Sequence, residues 1–289
     1  MEKRFIWILI ILVLVTVSCG NHKTTNSKTQ DQLSTTNSKT QDQLSLNISI
    51  FLDLSDRLTS DMTPSQMYRD TAIVNYIVDY FKTTTDPDIV KSKNKLNVFC
   101  DPTPKDPEIA TLMQGLKVDL GQKKILEKRI ALNSMKPQFQ KNISQIYQKI
   151  LDENEWPGSD IWSFFQNKKV DDLCVQSNSR NIIIILTDGY IYHASTKIKE
   201  GHAYSYILSQ TLSDKQSSLI DRRTGELKGK GIEVLLLEVN PQPKSHHDQM
   251  LSILEGWFKS MGVEKVKVSG TEADMGITKT IIKKILDDK

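Results

Sequence analysis

The stretch Asn181-Ile-Ile-Ile-Ile-Leu-Thr-Asp-Gly189 restricts the fold more than any other part of the chain. An unbroken run from Ile182 to Leu186 leaves no polar face to turn to water, so both sides of the strand must be covered, as in parallel sheets flanked by helices. Gly231-Ile-Glu-Val-Leu-Leu-Leu-Glu-Val239 repeats the requirement. Further strands are expected near residues 48, 96 and 264, with a short edge strand at Leu116-Lys-Val-Asp-Leu120. Between them apolar residues take helical spacing. Ala72, Ile73, Ile77, Tyr80 and Phe81 follow a start signal at Thr63-Pro-Ser-Gln66, and Phe139, Ile143, Ile146, Tyr147 and Ile150 mark the span from Glu108 to Phe165. Helices around His247 to Met261 and Asp274 to Leu286 complete the alternation. The pattern predicts one doubly wound, Rossmann-like α/β domain over residues 46–289, with a mainly parallel sheet and helices on both faces.

The amino terminus has a different character. Met1-Glu-Lys-Arg4 precedes an apolar run from Phe5 to Val17 that is too short to cross a hydrocarbon core of ~30 Å as a helix, which fits a secretory signal. The run ends Thr16-Val-Ser-Cys-Gly20, which resembles a bacterial lipoprotein lipobox with Thr16 in place of the usual Leu. The resemblance implies a signal peptide over residues 1–18, lipidation of Cys19 and a lipid-anchored place in the bacterial cell envelope. An ordinary signal peptide and an uncleaved anchor are the alternatives. Residues 24–34 recur letter for letter at 35–45, with one Leu per copy and no aromatic residue. Such a segment cannot bury enough apolar surface to offset its ordering entropy, so residues 19–45 read as a disordered tether of roughly 25–30 Å root-mean-square span. Cys100 and Cys174 remain, in apolar neighbourhoods, as a disulfide or as two buried thiols. A net charge of only +3 gives no reason to expect nucleic acid.

Polar groups collect where the strands should end. Asp53 and Ser55 follow the apolar run Ile48–Leu52, Gly158-Ser-Asp-Ile161 opens a helix, and Thr187-Asp188-Gly189 closes the central strand. Open α/β sheets bind ligands at the carboxyl ends of their strands. At these residues the chain resembles the von Willebrand factor type A (VWA) family. The family's metal-ion-dependent adhesion site (MIDAS) surrounds a divalent cation with an Asp-x-Ser-x-Ser motif, a loop-two Thr and a loop-three Asp, and a ligand carboxylate completes the coordination. Asp53, Ser55 and Asp188 match, and Ser159 takes the place of the Thr. The resemblance implies Mg²⁺ or Mn²⁺, hard cations suited to hydroxyls and carboxylates, and a protein partner bound through a carboxylate.

One position departs from the family: its second Ser falls on Arg57. A guanidinium ~5 Å from a divalent ion, at an effective dielectric of ~20, is repelled by about 6–7 kcal/mol. Three arrangements are open. Arg57 faces solvent and the cation binds weakly; or Arg57 pairs with Asp53 or Asp188 and replaces the cation as the contact for a partner's carboxylate; or the acid–arginine pair only holds the loops. Asp101, after the neighbouring strand, either supports a ligand of the site from behind or is an ordinary turn opener. Trp156, Trp162, Tyr190, Tyr192 and His193 form either a ligand-contacting rim or core, and His246-His247 a solvated helix start. The rival class is a metal-dependent hydrolase with Asp53 as nucleophile. It lacks the second acid of an Asp-x-Asp pair, since residue 55 is Ser, and no Gly-x-Ser-x-Gly or phosphate-binding glycine loop is present. The expectation is therefore a non-enzymatic binding module.

Overall fold

The computed structural model describes residues 44–193, 199–200, 203–204 and 225–288. The signal sequence, Cys19 and the repeat up to residue 43 lie outside them. β1 (Ser45–Leu52) starts on the last residue of the second repeat copy and runs through the middle of a six-stranded sheet. Its neighbours are β2 (Lys95–Phe99) and β4 (Ser179–Leu186), both parallel to it. β3 (Lys117–Asp119) closes one edge antiparallel to β2, at the expected edge strand. β5 (Lys199–Glu200) and β6 (Ala203–Tyr204) form a separate two-stranded ladder. β7 (Ile232–Val239) and β8 (Lys265–Gly270) continue the sheet beyond β4. The order is β3-β2-β1-β4-β7-β8, so the chain winds outward from β1 and then returns to build the other half from β4. The reversal opens a crevice at the carboxyl ends of β1 and β4, where doubly wound sheets bind ligands.

The helices follow from the apolar spacing, with two refinements. α1 (Gln66–Thr85) is capped by Ser65, whose hydroxyl accepts from Tyr68 N, rather than by Thr63. It lays Ile73, Ile77 and Phe81 on the sheet as expected and adds Val74 and Val78. The span 108–165 resolves into α2 (Pro107–Gln114), the long α3 (Ile125–Glu153) and α4 (Ile161–Gln166). α3 passes through Pro137, which sits on the exposed side, where a missing backbone donor leaves a carbonyl that water can reach. α5 (Lys169–Cys174), α6 (His247–Ser260) and α7 (Met275–Asp287) are the remaining α-helices among the described residues. Among the described residues no helix is long and apolar enough to cross a membrane.

Packing beneath the crevice is aromatic. Phe51, Phe99 and Phe164 meet with ring centroids 5.1–5.4 Å apart, and Phe165 joins them to Trp257 and Phe258. α4 is only six residues long, and these contacts hold it where intrinsic helix propensity would not. Trp162 is part of the same core, so it is no rim residue. Cys100 and Cys174 are buried free thiols, pushed up to about 12 by burial, which makes them inert packing residues.

Candidate functional site

Three loops meet at the β1/β4 crevice. The first continues the ladder for one residue, as Asp53 N donates to Leu186 O at 3.1 Å. Leu54 then bridges to Gly158 in the second loop, whose N–H donates to Leu54 O at 3.1 Å. The third loop is tied to β7, with Thr187 N on Leu237 O and Asn240 N on Asp188 O. The backbone therefore brings Asp53, Ser55, Ser159 and Asp188 to one end of the sheet, as their order in the chain suggested. With the strand order, this three-loop arrangement is the doubly wound α/β fold that the sequence implied.

No family model and no curated protein matches the chain. Among solved structures it is distantly similar to proximal thread matrix protein 1 of the mussel byssus, at 13% identity and a TM-score of 0.40 over 84% of this chain and 48% of that one. That protein has also been solved with a zinc-occupied MIDAS motif. BatB from Bacteroides thetaiotaomicron gives 14% identity and a TM-score of 0.36, over 84% of this chain and 100% of that one. The pilus adhesin SpaC from Lactobacillus rhamnosus GG gives 8% and 0.41, over 86% and 30%. The chain spans about half the length of the mussel protein.

Asp53 is fully buried. One carboxylate oxygen accepts from Ser55 N at 3.0 Å and the other from Thr187 Oγ1 at 2.7 Å. Thr187 is thus a working member of the site that its position beside Asp188 did not single out. Asp188 accepts from Tyr190 N at 3.1 Å. Burial raises its pKa to about 7, with the Asp53 charge adding to the effect. Burial raises Asp53 as well, against the opposing pull of Arg57, Ser55 and Thr187. Ser159 is buried, and its hydroxyl has no hydrogen-bond partner.

Arg57 does not face solvent. Its side chain is 3% exposed, and Nη2 donates to Asp70 Oδ2 of α1 at 2.6 Å. Nε donates to the Asp53 carbonyl at 3.0 Å and lies 3.7 Å from Asp53 Oδ2. The first arrangement above is thereby overturned, and the principal partner is an acid outside the three loops. Asp70 also accepts from Gln66 Nε2 and Tyr147 Oη, both at 2.8 Å. Behind it Arg69 makes a bidentate pair with Glu238 at 2.6 and 2.9 Å. Asp70 and Glu238 each have an arginine, whereas Asp53 and Asp188 share only one flank of Arg57. The guanidinium next to Asp70 acts as one end of an ion pair, so its field falls off faster than that of the isolated charge behind the 6–7 kcal/mol figure.

Two clefts lie on either side of Asp188. One, of about 280 Å³, is lined by Ser55, Asp56, Ser159, Asp188, Tyr192 and His193 among others. The other, of about 310 Å³, takes in Arg57, Ser60, Gln66, Asn240 and Gln242, with Asp56, Asp188 and Tyr190 common to both. Tyr190, Tyr192 and His193 are therefore rim residues. Asp101 joins the site through its main chain: its carbonyl accepts from Asp160 N at 2.7 Å, while its carboxylate is engaged by Lys169 at 2.8 Å. Among the described residues no three His, Cys, Asp or Glu side chains come together, so a cation here would depend on the hydroxyls.

The third loop turns on Gly189, at φ +107°, where a Cβ would come 3.1 Å from both Met250 Cγ and Val239 Cγ1. Gly189→Ala should cost about 1–3 kcal/mol in urea unfolding, because both backbone and packing resist it. An unchanged midpoint would show that the turn relaxes freely.

Proposed function

We propose that this chain is a non-enzymatic, membrane-tethered binding module of the bacterial cell envelope, which recognises a partner protein through a degenerate MIDAS. Asp53, Ser55, Ser159 and Asp188 would hold Mg²⁺ or Mn²⁺, and the cation would receive a carboxylate from the partner. One observation carries the reading. The orphaned, buried Ser159 hydroxyl belongs to the same cleft as Asp188, and the interacting acids Asp53 and Asp188 have near them an Arg57 whose short contact, at 2.6 Å, is with Asp70 rather than with either of them. Oxygen donors left in that state suit a hard divalent ion, which keeps waters and so has room for a ligand oxygen.

Catalysis by Asp53 has little support, because both oxygens of that buried carboxylate already accept hydrogen bonds. A second reading rests on Arg57 Nη1, which is buried without a partner on a residue lining the neighbouring cleft. In that reading Arg57 replaces the cation and meets the partner's carboxylate directly.

Calorimetric titration with Mn²⁺ and Mg²⁺ separates the two. Saturable binding by the wild type and none by Asp53→Ala is expected. No heat in either protein would eliminate the cation and leave Arg57 as the positive centre of the site. Membrane attachment is checked separately by labelling cells with a radioactive fatty acid, where incorporation should disappear in Cys19→Ser.

A further inference from the structure

The chain enters the domain at the end of the sheet opposite the proposed site. Asn94 gathers three segments there: its side chain accepts from Leu46 N at 2.8 Å, and its carbonyl accepts from Leu120 N at 3.0 Å. A Cβ on Gly121 would lie 3.8 Å from Lys93 Cβ. The buried ammonium of Lys128, on the first turns of α3, clamps the Val90 and Ser92 carbonyls at 3.0 and 2.7 Å. The loop around residue 91, the turn at 121–124 and the start of α3 therefore form one continuous surface.

Its composition is unusual for a wet face. Leu126 and Ile130 are one helical turn apart and 67% and 59% exposed, Val90 is 63% exposed and Ile125 43%. Around them stand Lys91, Lys93, Lys123, Lys124 and Arg129, all exposed, none in an ion pair among the described residues. The acids on these segments are Asp86, Asp88, Asp119 and Glu127. The last two are already spoken for by Gly121 N and Lys124 N. Apolar side chains ringed by unpaired cations match an interface of anionic headgroups over acyl chains.

We infer that this end of the domain docks on an anionic lipid surface, with Leu126 and Ile130 entering the headgroup layer and the five cations meeting lipid phosphates. The inference goes beyond the adhesion-site reading and draws on the tethered reading only for its occupant. Docking would orient the domain, so that the Asp53 crevice faces away from the membrane.

The test uses the chain from residue 20 onward, which cannot be lipidated, in sedimentation with vesicles of phosphatidylglycerol or of phosphatidylcholine. Binding to phosphatidylglycerol only, weakened by salt, is expected. Neutralising Lys123 and Lys124 to Gln should weaken it roughly fivefold per charge, and Leu126→Ser with Ile130→Ser should remove the part that survives salt. Lys105→Gln with Lys244→Gln, at the opposite end, should change nothing. All these residues are exposed, so circular dichroism should show each variant folded. Failure of the wild type to bind, or equal losses from the two lysine pairs, overturns the inference. Loss of fatty-acid labelling dependence on Cys19 would overturn the tether instead, and leaves the vesicle result standing.

Discussion

Asp70→Ala should lower the unfolding free energy by about 3–5 kcal/mol, since it strands the buried guanidinium of Arg57. Burial works against that charge, but Asp70 and then Asp53 outweigh it, so Arg57 stays protonated and cannot escape by neutralising. Gln66 Nε2 and Tyr147 Oη lose an acceptor in the same step. Urea denaturation monitored by tryptophan fluorescence measures the loss. Asp70→Asn keeps an acceptor oxygen and should cost less. Arg57→Met combined with Asp70→Asn should recover much of the difference, because a buried ion pair contributes little net stability once both charges are gone. Equal stability of Asp70→Ala and the wild type would mean that Arg57 swings into water.

Asp188→Asn should do the opposite in the absence of divalent cation. Folded Asp188 titrates at about 7 against an ordinary value of 3.8, so between those values the folded state holds more protons than the unfolded. The contribution of this group to stability therefore falls as pH rises from about 4 to about 7, and the penalty is complete above that. The Asn variant escapes it. With chelator present at pH 8, Asp188→Asn should be more stable than the wild type by roughly 1–3 kcal/mol: at about 1.4 kcal/mol per pKa unit the shift alone would give ~4, and solvent reaching the half-buried Asp188 screens part of it. By pH 4 the two should coincide. Under the cation reading the variant also loses Mn²⁺ binding, so saturating Mn²⁺ should raise the wild type alone. A variant less stable than the wild type at pH 8 would show that Asp188 is held as a carboxylate by some partner of its own.

Most of the fold was legible because its signals are local. The runs at Ile182–Leu186 and Ile232–Val239 cannot be anything but covered strands, and the polar residues after them mark the strand ends. The edge strand at Lys117–Asp119 and the helix opened by Asp160 were equally plain. The state of Arg57 was not legible, because its partner is defined only by tertiary structure. Asp70 does carry a signal, standing three residues before Ile73 on the stripe that continues through Ile77 and Phe81, where an apolar residue belongs. An acid on a buried helical face needs a cation, but spacing alone does not say which. Glu238 is hidden in the same way: it lies in a strand that pattern marks as apolar, at φ +69°, beside the register shift between Leu236 and Val239 that turns it toward Arg69.

The central position of β1 has a mechanical consequence. Its amino end receives the chain, its carboxyl end carries Asp53, and parallel ladders grip both flanks. A pull applied between the Asp53 loop and Ser45 runs along this strand, and loads both ladders in shear. Their hydrogen bonds must then fail together rather than unzip one after another, and the aromatic layer under Phe51 resists the same displacement.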